Sequence, residues 1–221
     1  MEIQLNETET RVLAALVEKE LTTPEYYPLS LNALTNACNQ KSNREPVVAY
    51  DEKTVVRAIE SLREKKMAVM VTGAGSRVPK YKHSFARRFQ LDEKEVAVLT
   101  ILMLRGPQTI GEIRGRTGRM YDFSDLADVS ATLDGLKKRG DGAYVVQLPR
   151  QPGRKEARYA HLFCGEPEIT KHDVEPRFEP ARQAVMAENE RITKLEEEMA
   201  KLKKELEALV QEFLEFKKQF E

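Results

Sequence analysis

Apolar residues recur along this chain at the spacing of helix faces, broken by short alternating runs, and the whole pattern occurs twice. The run Leu5-Asn6-Glu7-Thr8-Glu9, with Val12, Leu13 and Leu16 behind it, returns as Leu91-Asp92-Glu93-Lys94-Glu95 with Val98, Leu99 and Leu102. In both, Asn or Asp precedes acidic residues and a stripe of 3.6-residue period. That combination predicts a capped helix start with carboxylates at the positive end of the dipole. Pro28-Leu29-Ser30-Leu31-Asn32-Ala33-Leu34 then matches Pro107-Gln108-Thr109-Ile110-Gly111-Glu112-Ile113, and in each a Ser or Thr opens a short second helix. A third helix follows, buried through Val55, Ile59 and Leu62 in the first copy and through Val129, Leu133 and Leu136 in the second.

Each third helix gives way to strand material, Val69 to Val71 and Tyr144 to Val146. A Gly- or Pro-bearing loop comes next, Gly73-Ala74-Gly75-Ser76 in one copy and Pro149-Arg150-Gln151-Pro152-Gly153 in the other. The return strands are Lys80 to Phe85 and Arg158 to Phe163, which share the order basic-Tyr-x-His-x-Phe and alternate with period two. Three helices followed by a β-hairpin describe a winged helix, a variant of helix-turn-helix. The predicted fold class is mainly α with small β-hairpins (α+β). The predicted domains are a first winged helix at 1–90, a second at 91–165, a Pro-containing linker at 166–184 and a coiled-coil helix at 185–221.

The last segment has its own period. Ile192, Leu195, Met199, Leu202, Leu206, Leu209, Phe213, Phe216 and Phe220 alternate steps of three and four, the a/d pattern of a coiled coil. The flanking positions can be paired as in a parallel homodimer, Arg191 with Glu196, Glu198 with Lys203, and Glu212 with Lys217, all opposite in sign, and the pattern leaves the orientation of the helices open. The alternative is a helix folding back on its own domains, and the run of Phe at the end suits packing on another surface.

Composition adds a division of charge. Residues 1–90 hold 14 Lys/Arg against 11 Asp/Glu, residues 91–165 hold 12 against 10, and residues 166–221 hold 10 against 15. Mildly basic modules on an acidic tail suit a nucleic-acid binder, although so small an excess settles nothing by itself. Cys38 and Cys164 stand apart without a CxxC partner, so they read as core residues of a reducing cytoplasm, with no metal site and no disulfide. No signal peptide and no run of the roughly 20 apolar residues of a membrane span is present, which predicts a cytoplasmic protein without membrane contact.

The segment from Arg11 to Val48 carries a more specific likeness. Leu16-Val17-Glu18-Lys19-Glu20, Thr22-Thr23-Pro24, Tyr27 to Leu34, and Ala37-Cys38-Asn39-Gln40-Lys41-Ser42-Asn43-Arg44 with Pro46 resemble the bacterial YceH family over roughly residues 5–165. The resemblance implies a tandem winged-helix fold. It assigns no activity and no site residues.

Candidate chemistry is that of binding. The loop after the second helix is long and polar, with Lys41, Asn43 and Arg44; the third helix adds Lys53 and Arg57, and the first wing adds Arg77 and Lys80. Asp51 and Glu52 at the start of that helix would repel phosphate. The second copy offers Arg114, Arg116 and Arg119 around its second helix, and Arg150, Arg154 and Lys155 on its wing. Opposite its buried stripe lie Ala127, Ala131, Asp134 and Lys138, a poor base reader and a plausible packing surface. No P-loop, GxGxxG or nucleophile–base set is present, and Gly73-Ala74-Gly75 lacks the following helix a phosphate loop needs. His83 and His161 occupy equivalent strand positions, as repeated packing residues do. The sequence thus predicts a cofactor-free, non-enzymatic protein whose partner is duplex DNA, acting as a dimeric transcriptional regulator. The alternative is a protein-interaction scaffold similar in kind to the tandem winged-helix subunits of bacterial condensin-like complexes.

Overall fold

The computed structural model describes residues 4–72, 78–150 and 156–167, together with Met199, Lys201 and Lys203 of the C-terminal segment. Residues 1–169 form one unit and residues 170–221 another. Of the second unit, the three described positions are helical, and Met199 is 70% exposed. The other eight heptad positions, the three charge pairs and most of the 166–184 segment lie outside the described residues.

The first unit is an α+β arrangement in which one order of elements runs twice. In the first copy α1 (Glu7–Thr22), a 3-10 turn (Pro24–Tyr26), β1 (Leu29–Ser30), α2 (Leu31–Cys38), α3 (Glu52–Glu64), β2 (Ala68–Val71) and β3 (Lys80–His83) succeed one another. After α4 (Phe85–Phe89), the second copy contributes α5 (Glu93–Arg105), α6 (Ile110–Thr117), α7 (Leu126–Lys137), β4 (Val145–Gln147) and β5 (Tyr159–His161). The junction is marked by Gln90 in the left-handed region, φ 49°, closing α4.

The predicted helix starts are present in atomic detail. Asn6 and Asp92 each accept from the backbone of the residue three positions on, while Glu9 and Glu95 reach back to the cap, two complete capping boxes. Each glutamate has a second task. Glu9 accepts from Ser61 Oγ and Lys65 Nζ, both at 2.6 Å, and Glu95 accepts from Arg139 Nη1 at 3.1 Å. The residue that caps the first helix therefore also ties it to the end of the third, in both copies. Burial raises the Glu9 pKa, but the hydrogen bonds from Lys65, Ser61 and the Asn6 backbone outweigh it and hold the carboxyl below its ordinary value.

The expected stripes are buried: Val55, Ile59 and Leu62, and Val129, Leu133 and Leu136, are all fully sealed. At roughly 1.5–3 kcal/mol per side chain, each triplet contributes enough to seat its helix. The first helices depart from expectation. Every residue of α1 from Glu9 to Glu18 is buried, and so is every residue of α5 from Val96 to Leu104. A one-sided stripe cannot explain that. Helices α1 and α5 pack on each other as well as on their own copies, so both are covered all round, and the two copies share one hydrophobic core.

The first sheet has the order β1-β3-β2, antiparallel throughout. In the second copy β4 pairs with β5, and a lone bridge from Gln108 to Tyr159 stands where β1 meets β3. The return strands end earlier than the alternation predicts, at His83 and His161. Phe85 starts α4 instead, and with Phe89 it packs edge-on against Phe163 at about 5.4 and 5.3 Å between rings. Turning into a helix lets both rings reach the shared core, where a straight strand would carry the second away from it.

Candidate nucleic-acid interface

The loop between α2 and α3 is the first place to look, and it is built from within. Arg44 is fully sealed and is no surface cation. Its fork meets both Glu18 carboxylate oxygens, Nη1–Oε1 at 3.0 Å and Nη2–Oε2 at 2.5 Å. Its remaining donors satisfy the Ala37 and Asn43 carbonyls and Gln40 Oε1, at 2.9 to 3.2 Å. The reason is local: the loop leaves carbonyl groups of the α2 end inside the fold, and a planar five-donor side chain can satisfy several at once. Arg11 holds the far side of the loop in the same way, donating to the Cys38 carbonyl at 3.3 Å and the Pro46 carbonyl at 2.7 Å.

Asn43 sits in the left-handed region, φ 57°, and accepts from Arg105 at the end of α5 at 2.8 Å. The Glu45 amide donates to the Leu104 carbonyl at 2.9 Å. The polar loop is thus a brace between the copies. Its Asn and Arg content serves turns and buried carbonyls, and only Lys41 of its predicted contacts is an exposed cation.

The third helix keeps its outward face. Asp51 caps it by accepting from the Thr54 amide at 2.8 Å, and the Thr54 hydrogen bonds hold its carboxyl below the ordinary range. Lys53 and Arg57 are exposed as predicted, and so are Arg63, Glu52, Glu60 and Glu64. Three cations and three anions share that face, so its field is mixed.

The sheet presents a different face. Register pairs Val69 with Lys82 and Val71 with Lys80, which puts both lysines on the same side, and both are exposed. The other side holds Tyr81, His83 and Ala68 toward the core. There His83 Nδ1 accepts from the Phe85 amide at 3.1 Å while Nε2 lies 2.5 Å from a Glu20 oxygen, and the His83 amide donates to Tyr27 Oη at 2.7 Å. Burial lowers the His83 pKa, with Glu20 opposing it, and the Nδ1 acceptor position requires the neutral ring. Its counterpart His161, pushed down to about 4 by burial, lies beside Phe163. The two histidines are structural parts of equivalent strands.

In the second copy the predicted cations are partly absorbed. Arg114 donates to the Ser124 carbonyl at 2.9 Å and the Phe123 carbonyl at 3.4 Å, holding the segment before α7. Arg116 is half-buried, 3.7 Å from Glu112. Arg119 and Arg150 are exposed. Outward on α7 lie Leu126, 51% exposed, with Ala127, Ala131, Asp134 and Lys138. Arg77, Arg154 and Lys155, together with both hairpin loops proper, fall outside the described residues.

Lys82, Arg87 and Arg88 are exposed cations that no motif picked out. One signal was available: the stretch from Val78 to Gln90 contains no Asp or Glu. Among the described residues no group of three or more His, Cys, Asp or Glu is placed to hold a metal ion, and no helix is long and apolar enough to cross a membrane.

Comparison with other proteins places the chain among relatives. A family model described as "Protein of unknown function, DUF480" matches residues 5–154, the two copies through the end of β4. A UPF0502 protein of Geotalea uraniireducens is 57% identical over 100% of both chains, and one of Geobacter sulfurreducens is 52% identical, again over 100% of both. A UPF0502 protein of Opitutus terrae is 55% identical over 80% of this chain and 76% of its own length. With a family model over residues 5–154 and two relatives more than half identical across their full length, the chain belongs to the DUF480 (UPF0502) family of bacterial proteins.

Proposed function

We propose that the protein is a cytoplasmic DNA-binding protein, a transcriptional regulator built from two winged helices that acts as a homodimer through its C-terminal heptads and needs no cofactor. It binds and does not catalyse. The observation that carries this reading is the repeated order of three helices and a hairpin, in which the third helix of the first copy turns Lys53 and Arg57 outward and the hairpin exposes Lys80 and Lys82. A third helix in that position enters the major groove, and the hairpin follows the phosphates. Lys41 at the loop edge and Arg119 and Arg150 of the second copy add exposed positive charge.

The test is binding of the full chain to a fluorescent random duplex across a salt titration, beside the variant Lys53→Ala/Arg57→Ala. Binding that weakens steeply with salt, with a slope lowered by about 1.8 in the variant, supports the reading, since each cation that meets the duplex contributes about 0.9 to the slope of log K against log salt. Absence of binding at low salt refutes it. The second reading, a scaffold that clasps a partner helix, is favoured by the outward Leu126 with Ala127 and Ala131 on α7. For that reading Leu126→Glu abolishes capture of the partner while leaving DNA affinity unchanged.

A further inference from the structure

The geometry points to a phosphate-gripping strip on the first copy, formed by Lys80 and Lys82 of β3 with Arg87 and Arg88 of α4, that supplies the sequence-independent part of duplex DNA binding; it rests on the DNA-binding reading above. Three observations carry it. The first is placement. Strand register sends Lys80 and Lys82 to the solvent side of the sheet. Two strand residues apart, they are separated by about 6.6 Å, close to two steps of 3.4 Å along one DNA strand, so they reach separate phosphates. Two residues beyond β3, the burial of Phe85 and Phe89 fixes the inner side of α4 and leaves Arg87 and Arg88 on its outer side, exposed.

The second observation is charge. Among the described residues none of these four cations lies within ion-pair distance of a carboxylate. The stretch from Val78 to Gln90 contains no acidic residue at all. The outward face of α3, by contrast, mixes Lys53, Arg57 and Arg63 with Glu52, Glu60 and Glu64. Of the two faces, the strip has the field to draw in a polyanion.

The third observation comes from the repeat, which serves as an internal control. Arg158 of the second copy stands where Lys80 stands in the first, and it is spent inside the fold: it lies 3.1 Å from Glu112 and donates to the Pro107 carbonyl at 2.7 Å. The first copy has Ala33 at the position of Glu112, which leaves Lys80 without that partner. Lys82 corresponds to Ala160, and nothing after Phe163 corresponds to Arg87 and Arg88. The same fold is therefore built without the strip, so the strip is not required for folding. Four cations without a carboxylate partner among the described residues call for an anionic partner, and the step from Lys80 to Lys82 matches the spacing of a phosphate backbone.

The experiment compares full-length wild type with Lys80→Gln/Lys82→Gln/Arg87→Gln/Arg88→Gln, using anisotropy of a labelled random duplex from 50 to 200 mM salt. Four lost phosphate contacts lower the slope of log K against log salt by about 3.6, so over that fourfold range wild type loses about 150-fold more affinity than the variant. Each single substitution lowers the slope by about 0.9, which keeps the test valid should the quadruple variant fold poorly. The loss is uniform across duplex sequences. An unchanged slope and affinity in the quadruple variant, with loss confined to Lys53→Ala/Arg57→Ala, overturns the strip and leaves DNA binding standing. Wild type that binds no duplex at 50 mM overturns both.

Discussion

Arg44→Ala separates a structural role from a surface one more sharply than any other single change. The substitution removes both bonds to the Glu18 carboxylate and the donors to Ala37, Asn43 and Gln40. Glu18, whose side chain is 12% exposed, is left with Lys19 at 3.7 Å and the more distant charge of Arg11, neither of which replaces the two-pronged contact. Breaking a buried pair from one side costs about 3–5 kcal/mol, because a charge is left without a partner. Partial access of water to Glu18 puts the expected loss near the lower end, about 3 kcal/mol. For a unit of this size that lowers the melting temperature by about 6–12 °C. The assay is circular-dichroism melting with urea titration as a second measure. Glu18→Gln/Arg44→Met should be less unstable than the two single losses summed, by at least about 1 kcal/mol, since removing both partners removes the stranded charge. A melting temperature within about 2 °C of wild type, with DNA affinity lost, would refute the buried brace and return Arg44 to the surface.

Two further predictions concern stability. His161 has a folded pKa depressed to about 4, so below its ordinary value of 6.5 the unfolded chain binds the extra proton and the folded one does not. The stability it contributes is whole above pH 6.5 and is lost as pH falls toward 4, amounting to about 2 kcal/mol between pH 7 and 5. Urea titrations across that range should show the decline in wild type and lack His161's share of it in His161→Phe; parallel profiles would contradict it. Gly106 closes α5 at φ 69°, ψ −156°, a region nearly reserved for glycine, and an added Cβ there meets nothing within 4 Å. Gly106→Ala therefore costs backbone strain alone, about 1–3 kcal/mol by urea denaturation, and no measurable loss would contradict the strain.

Much of the local structure was legible because its causes are local. A capping residue, a glutamate three positions later and an apolar period specify a helix start without reference to anything distant, and Asn6, Asp92, Ser30 and Thr109 all cap as expected. Finding the same causes twice made the repeat visible. The candidate site was less legible. Lys53, Arg57 and Lys80 are exposed as their helical and strand periods required. Arg44 was not readable, because polar composition is the same for a loop that faces solvent and one that satisfies buried carbonyls. Lys82 shares the outward period of Lys80 and was passed over as the variable place in the repeated strand pattern, while Arg87 and Arg88 were hidden because the strand stops two residues early and turns into α4.

Sequence alone determined the elements, their order and the inward faces of the third helices, since propensity, capping and periodicity act over a few residues. Only the tertiary structure decided that α1 and α5 are buried all round, that Arg11 and Arg44 turn a polar loop into a brace, and which cations remain free. Those outcomes depend on partners far along the chain: Glu18 for Arg44, Leu104 and Arg105 for the loop, and Glu112 for Arg158. A charge is available to a ligand only when no other part of the fold has taken it, and that is settled by packing, not by spacing.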